Sequence, residues 1–285
     1  MGREPQQEDG GQPENGSMVG GRNLPMAIAV GLALAGVFLG SLFWHPAAFA
    51  LVVAALTVVA YVESDQVLRG VGLRLEAPVL IVATIVMLFG AYEAQHAGQV
   101  VGLGVLVLGG VLWQLSDSAR ADVARRLSMT LLFGLWVGFL ASFAVLLVNR
   151  PDGAVAVLAV IGAVVLTDIG GFAFGVGLGR HKIAPSVSPN KSWEGLVGGL
   201  VVAVATAALV LPLLGDTFDA TSAAIVALTC GLAGFLGDLT ESMIKRDLDV
   251  KDLGRVLPGH GGVLDRVDGI LFALPVGYYA VELVT

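Results

Sequence analysis

Acidic side chains recur at a fixed spacing near the C-terminal end of this sequence. Asp238 and Glu241 are three residues apart, and Asp265 and Asp268 repeat that spacing further along the chain. Because residues three apart lie on one face of a helix, each pair can present two carboxylates to one ligand. Two such pairs on neighbouring helix ends would supply the oxygen ligands that Mg²⁺ prefers. The sequence therefore favours a functional site over the alternative, a solvated salt-bridge network.

Cationic side chains and glycines fill the segment between the two acidic pairs. Its basic residues are Lys245, Arg246, Lys251 and Arg255. The run Pro258-Gly259-His260-Gly261-Gly262 adds a flexible backbone that can approach a ligand closely before a helix begins. Cations that bind phosphates beside carboxylates that bind a metal are the usual arrangement of nucleotide sites, although the Walker loop pattern is absent. His260 is either a solvated loop histidine or a contact to a substrate phosphate.

A second polar segment, from Arg180 to Gly195, has the same character, and its prolines favour an ordered turn over a helix. Its cations Arg180, Lys182 and Lys191 either mark the membrane topology or bind phosphate. Asp168 precedes it by about a dozen residues, or roughly 18 Å along a helix. A carboxylate at such a depth costs about 2.5–3.5 kcal/mol in lipid. Asp168 therefore either pairs with a polar group inside the bundle or faces a water-filled cavity.

The elements that must position these residues are membrane helices. Of the 285 residues, 56% are hydrophobic and only 14% are charged, which is outside the range of soluble domains. We predict an all-α, polytopic membrane protein, because about 20 apolar residues cross a bilayer and unpaired backbone is not tolerated in lipid. The candidate spans number about nine and lie at 24–43, 46–63, 77–93, 97–115, 127–149, 153–178, 195–214, 222–243 and 263–284.

The basic residues fall in alternate loops between these spans. Of 16 Lys and Arg residues, only Arg150 lies on the side opposite to the N-terminus. By the positive-inside rule the N-terminus and the polar segments are cytoplasmic, and the C-terminus is outside. The predicted organisation is a disordered cytoplasmic tail (1–23), about five N-terminal helices (24–149), and a catalytic region (150–285) with cytoplasmic loops at 180–194 and 244–262.

Small residues predict close helix packing in the catalytic region. Gly171, Gly175 and Gly179 are four apart, so they share one face of a helix and permit a second helix to approach it. Such glycines are also compatible with a homodimer. Cys230, the only cysteine, falls in an apolar run and has a packing role in this interpretation. The chain has no internal repeat of the kind that marks inverted-repeat transporters.

The segment from Ser242 to Asp268 resembles the signature of bacterial phosphatidate cytidylyltransferases, the CDP-diacylglycerol synthases. It reads Ser242-x-Ile244-Lys245-Arg246-x₄-Lys251-Asp252-x-Gly254-x₂-Leu257-Pro258-x-His260-Gly261-Gly262-Val263-x-Asp265-Arg266-Val267-Asp268. A less specific similarity to the family covers the earlier polar segment, where Ser188, Pro189, Lys191, Trp193, Glu194 and Gly195 fit. Asn190 and Ser192 stand where the family has Lys and Thr; Asn190 lacks the charge and is left out of the expected site.

The resemblance implies that CTP and phosphatidate react to CDP-diacylglycerol and pyrophosphate with Mg²⁺, in phospholipid biosynthesis at the bacterial inner membrane. One or two metal ions, one of which could be monovalent, would be held by Asp238, Asp265 and Asp268. The other catalytic residues implied are Lys245, Arg246 and His260. The substrate-binding residues implied are Ser188, Lys191, Lys251, Asp168, Arg266 and Ser242. No nucleic-acid partner is expected.

Two other functions fit parts of the pattern. A polyprenol-type kinase would also use CTP at a membrane, but it would transfer the γ-phosphate to a lipid alcohol. An ion-coupled transporter would explain Asp168, but it would not explain why charge is concentrated in the last cytoplasmic loop.

Overall fold

The computed structural model describes residues 24–117, 122–254, 256 and 261–285, with side chains from residue 31 onward. The predicted tail, Arg255 and His260 lie outside these ranges. The helices are α1 (Leu24–Trp44), α2 (Pro46–Gly70), α3 (Ala77–Ser116), α4 (Val123–Phe133), α5 (Leu140–Val148), α6 (Gly153–Leu178), α7 (Trp193–Val210), α8 (Ala220–Asp247) and α9 (Leu264–Val284). A π-helical turn, Gly134–Phe139, joins α4 to α5, and a 3₁₀ turn, Leu211–Leu213, follows α7.

Seven helices in the described residues are long and apolar enough to cross a membrane, with α4 and α5 counted as one. The chain is therefore a polytopic membrane protein, as its composition predicts. The count of nine crossings stays a prediction. One observation bears on it: α3 has non-helical backbone at Ala94 and Gln95. A Cβ on Gly90 would lie 2.7 Å from the backbone of Gly98, so the two parts of α3 pack side by side.

Two helices extend beyond the predicted spans, which corrects the predicted boundaries. Helix α2 continues past residue 63 to Gly70, and α8 continues past residue 243 to Asp247, so Lys245 and Arg246 are helical. In both cases the last turn carries basic side chains, which interact favourably with the exposed carbonyls at a helix C-terminus. Salt bridges four residues apart, such as Lys245 with Glu241, add to this.

The polar segment before α7 forms a small hairpin, so the fold is not helical throughout. Strands β1 (Lys182–Ala184) and β2 (Ser188–Ser192) pair antiparallel. The expectation of an ordered turn without a helix is confirmed here. Ser192 ends the hairpin and caps α7, because its Oγ accepts a hydrogen bond from the backbone N–H of Gly195 at 3.2 Å.

Helix α5 lies at the centre of the bundle, and every residue from Ala141 to Val148 is buried. Helix α6 packs on α7 through the predicted glycine face. A Cβ on Gly195 of α7 would lie 2.8 Å from the carbonyl oxygen of Gly171, and one on Gly179 would lie 2.6 Å from Ser192 Oγ. The packing role predicted for these glycines is confirmed. Cys230 is also buried, against Gly277 of α9.

Helices α8 and α9 cross at glycines, and this crossing sets the position of the acidic residues. A Cβ on Gly237 would lie 2.8 Å from the carbonyl oxygen of Asp268, and one on Gly269 would lie 2.9 Å from that of Gly234. The backbones can approach this closely only because both contact points lack side chains. The acidic residues of α8, one turn beyond this contact, therefore face the first turn of α9.

Candidate active site

Three carboxylates from two helices converge where α8 meets α9. Oxygen atoms of Asp238 and Glu241 on α8 and of Asp268 on α9 all lie within 4.8 Å of one another. Glu241 is 1% exposed and Asp268 is 9% exposed. Among the described residues, Glu241 Oε1 has no hydrogen-bond partner although it is buried. A buried carboxylate oxygen without a partner is costly, and a metal cation would satisfy it. The donor set thus fits a hard divalent cation.

Lys245 lies beside this group of carboxylates. Its Nζ is 2.5 Å from Glu241 Oε2 and 3.0 Å from Asp265 Oδ1. The Asp265 carboxylate also accepts hydrogen bonds from the backbone N–H groups of Leu253, at 3.1 Å, and Gly262, at 3.0 Å. Asp265 therefore holds together the loop that precedes α9. Its predicted role as a metal ligand stays a prediction, since its oxygens are already engaged by these donors.

The hairpin contributes a second ammonium group to the site. Lys191 on β2 reaches α8, where its Nζ lies 2.5 Å from Asp238 Oδ2 and 4.4 Å from the centre of the Phe235 ring. The Lys191 side chain is only 17% exposed. Such a buried cation requires nearby negative charge, and the ion pair with Asp238 provides it. The structure thus joins the two polar segments that the sequence singles out.

Asp168 completes the acidic region from the side of α6. Its side chain is exposed and interacts electrostatically with Asp238, Lys191 and Asp268. Asp168 thus has charged neighbours inside the bundle; the alternative expectation, a water-filled cavity beside it, stays a prediction. The carboxylates of the region outnumber the ammonium groups of Lys191 and Lys245. The excess negative charge makes the region attractive to a cation and, without one, repulsive to a phosphate.

The remaining predicted residues lie around this centre at varying distances. Ser242 Oγ is 3.4 Å from Asp238 Oδ1, and Ser188 is half-buried at the start of β2. Arg246 is exposed, and its Nε donates to the carbonyl oxygen of Val187 in the hairpin turn at 3.3 Å. Lys251 and Arg266 are exposed. The hydrogen bond of Arg246 connects the end of α8 to the hairpin.

Two residues of the site were missed or undervalued by the sequence-based reasoning. Glu241 was recognised as part of an acidic pair but was not among the expected metal ligands. Glu63, on α2, is not among the predicted site residues, yet its carboxylate accepts hydrogen bonds from the loop before α9. The signal for Glu63 in the sequence is the polar run Glu63-Ser64-Asp65, which stands where the predicted second span ends.

Comparison with known proteins gives consistent matches. The sequence model of the cytidylyltransferase family matches residues 25–284. A phosphatidate cytidylyltransferase of Mycobacterium leprae is 38% identical over 269 residues, which cover 88% of this chain and 85% of that protein. One of Mycobacterium bovis is 35% identical over 273 residues, covering 91% and 89%. One of Staphylococcus haemolyticus is 40% identical over 140 residues, covering 49% and 52%.

Proposed function

The chain belongs to the cytidylyltransferase family, and from this premise we propose that it transfers the cytidylyl group of CTP to phosphatidate, giving CDP-diacylglycerol and pyrophosphate. The observation that carries the proposal is the similarity to mycobacterial phosphatidate cytidylyltransferases over about nine tenths of the chain. The three carboxylates at the α8–α9 crossing suit a metal ion, and the ammonium groups of Lys191 and Lys245 beside them suit a polyphosphate. Both features support the same reaction.

The reaction needs little acid–base chemistry from the protein. An oxygen of the phosphatidate phosphate bonds to the α-phosphorus of CTP, and the bond from that phosphorus to the bridging β-oxygen breaks. Pyrophosphate leaves with the electron pair. Because the second pKa of a phosphate monoester is about 6, the attacking oxygen is already anionic near neutral pH. The protein must instead align the two phosphates and neutralise the charge that develops on the leaving group.

We assign the metal to the described carboxylates. Asp238, Glu241 and Asp268 would hold Mg²⁺, which when bound neutralises phosphate oxygens and fixes their orientation. A second ion, which could be monovalent, stays a prediction. Lys191 orients Asp238, and Lys245 supplies a fixed positive charge between Glu241 and Asp265. Both ammonium groups are held on defined partners, so they are preorganised for an anionic substrate.

The triphosphate and the lipid approach this centre through the exposed cations. Arg246 and Lys251 lie at the surface of the same region and would contact the triphosphate. Ser188, Ser242 and Asp168 would line the wall beside Lys191, where the lipid head group lies. We place these contacts on the cytoplasmic side, at the bacterial inner membrane, from the distribution of basic residues.

A groove beside α9 suits the lipid's acyl chains. It has a volume of about 450 Å³ and lies between α1, α2, α5 and α9, with walls that are almost wholly apolar. Phe38, Phe49 and Leu274 are among its lining residues, and Arg266 is the one charged residue among the described residues that line it. Arg266 follows Asp265 directly on α9, so one end of the groove lies on a neighbouring face of the first turn of α9. Its apolar walls match the acyl chains of such a lipid.

The proposal is tested with CTP labelled separately in its α- and γ-phosphates. Purified protein in detergent is incubated with phosphatidate and Mg²⁺, and both labels are followed. Cytidylyl transfer places the α label in the lipid and the γ label in pyrophosphate. The γ label in the lipid would indicate a kinase instead. If folded protein moves neither label, the proposal fails, and a transporter would then be tested by flux in vesicles.

A further inference from the structure

Glu63 connects the N-terminal helices to the described part of the loop between α8 and α9 (residues 248–254, 256 and 261–263). Glu63 is 2% exposed and lies two turns before the C-terminal end of α2. Glu63 Oε1 accepts a hydrogen bond from the backbone N–H of Val256, at 2.5 Å, and Oε2 accepts one from the backbone N–H of Val263, at 2.7 Å. One buried carboxylate thus satisfies two backbone donors that belong to a loop about 190 residues away in the sequence.

The same loop is held on its other side by Asp265. That carboxylate accepts from the backbone N–H groups of Leu253 and Gly262. The two ends of the loop, around Gly254 and around Gly262, lie close together between these carboxylates. A Cβ on Gly262 would lie only 2.5 Å from Gly254 Cα. Glu63 and Asp265 therefore each accept a hydrogen bond from one N–H in the first end of the loop and from one N–H in the second end.

Glu63 also contacts the N-cap residue of α9. Val263 immediately precedes α9, and its N–H points at Glu63 Oε2. A carboxylate at this point is favoured by the positive end of the helix dipole. Asp265 lies in the first turn of α9, and Asp268, three residues later, is one of the three carboxylates at the crossing. A shift of Val263 would move both acidic side chains relative to α8.

We propose that Glu63 is a positioning residue for cytidylyl transfer: its carboxylate holds the α8–α9 loop and the start of α9 so that Asp265 and Asp268 face α8. Glu63 does not touch the reacting phosphates. This inference rests on the proposed function, but the contact itself can be tested without substrate. It also gives the N-terminal helices a defined task in the reaction, which the apolar pattern of that half does not suggest.

The test compares Glu63→Gln with the wild type and with Glu76→Gln. Glutamine keeps the volume of Glu63 but has only one acceptor oxygen, so one backbone N–H would face an N–H₂ donor. Glu76 is a matched control because it is also 2% exposed and accepts a hydrogen bond from Gln114, away from the α8–α9 loop. Gly254→Ala should disrupt the same contact from the loop side, since the new Cβ would lie 2.6 Å from Glu63 Cδ.

Two measurements are made on each folded variant in detergent. Hydrogen exchange with residue-resolved mass spectrometry follows the amides of Val256 and Val263 without substrate. Steady-state kinetics give kcat and KM for CTP. We expect Glu63→Gln and Gly254→Ala to exchange these amides at least tenfold faster and to lower kcat/KM about 10–100-fold, since displacements near 1 Å have effects of that size. Glu76→Gln should leave both quantities within threefold of the wild type.

Three results would overturn the inference. Unchanged amide exchange in Glu63→Gln would show that the contact does not hold the loop. Faster exchange with unchanged kcat/KM would show that the contact does not serve the reaction. Failure of both Glu63→Gln and Gly254→Ala to fold, while Glu76→Gln folds, would assign Glu63 to folding alone. An inactive wild type would instead refute the proposed function, and the exchange data would still test the contact.

Discussion

Asp268→Asn should make the metal-free protein more stable and abolish its stabilisation by Mg²⁺. In the wild type, Asp268 faces Asp238 and Glu241 with oxygen atoms no more than 4.8 Å apart. Two unit charges at that distance repel by about 3.5 kcal/mol at an effective dielectric constant of 20. Lys191 and Lys245 offset part of this repulsion, so removal of the Asp268 charge should leave a net gain of about 1–3 kcal/mol.

With Mg²⁺ bound, the wild type should gain stability that Asp268→Asn does not. A ligand at 100 times its dissociation constant stabilises the native state by about 2.7 kcal/mol. The wild type should therefore unfold several degrees higher in Mg²⁺ than in EDTA. With one acidic ligand replaced by an amide, Asp268→Asn should show less than half of that shift. Its cytidylyl transfer should fall at least 100-fold, because the phosphates lose their fixed counter-charge.

The assay is thermal unfolding in detergent, followed by tryptophan fluorescence, in EDTA and across a Mg²⁺ titration. Asp152→Asn is the matched control, since Asp152 pairs with Arg150 at the other end of α6. That variant should behave as the wild type in its response to Mg²⁺. A full Mg²⁺ shift in Asp268→Asn, or a loss of stability in EDTA as large as that of a buried packing variant, would refute the assignment of the metal to this group.

Further predictions concern the hairpin, the topology and a helix cap. Lys191→Met keeps the apolar stem but leaves Asp238 without its ammonium partner, so the rate of CDP-diacylglycerol formation should fall at least tenfold; an unchanged rate would remove Lys191 from the site. In spheroplasts, an impermeant maleimide should label Asp152→Cys directly but Asp247→Cys only after lysis; the reverse pattern would invert the orientation. Hydrogen bonds from the first turn of α8 lower the pKa of Asp219, so its carboxylate stabilises the fold above its unfolded pKa and loses this effect as pH falls through the folded pKa. Asp219→Ala should accordingly lower Tm by a few degrees at neutral pH, and the difference should disappear in acid.

The helical membrane architecture could be predicted from the sequence because a bilayer requires long apolar runs, and such runs are visible without any tertiary information. Helix ends were less predictable. Helix α2 continues through Glu63, Ser64 and Asp65 because these side chains find buried partners or packing that no hydropathy pattern records. For the hairpin the sequence predicts only a turn, since the pairing of β1 with β2 depends on local hydrogen bonds between short strands.

The site was predictable where its residues are close in the sequence. Helical spacing placed Asp238 beside Glu241, and the signature segment placed Asp268 on the next helix. The different positions of Asp265 and Asp268 were not predictable, because the two residues form one acidic pair in the sequence. Among the described residues, Asp268 lies with Asp238 and Glu241, whereas Asp265 accepts hydrogen bonds from the loop. Glu63 could not be found from local sequence, since its partners lie in a different part of the chain.

We propose that the cluster of Asp238, Glu241 and Asp268 at the α8–α9 crossing holds the metal ion that serves cytidylyl transfer to phosphatidate. The most direct measurement is the amount of CDP-diacylglycerol and of pyrophosphate formed from CTP and phosphatidate by wild-type protein and by folded Asp268→Asn, with Mg²⁺ present. The wild type should form the two products in equal amounts, and Asp268→Asn should form almost none of either. A lipid that gains only a phosphate, or undiminished CDP-diacylglycerol from Asp268→Asn, would contradict the claim.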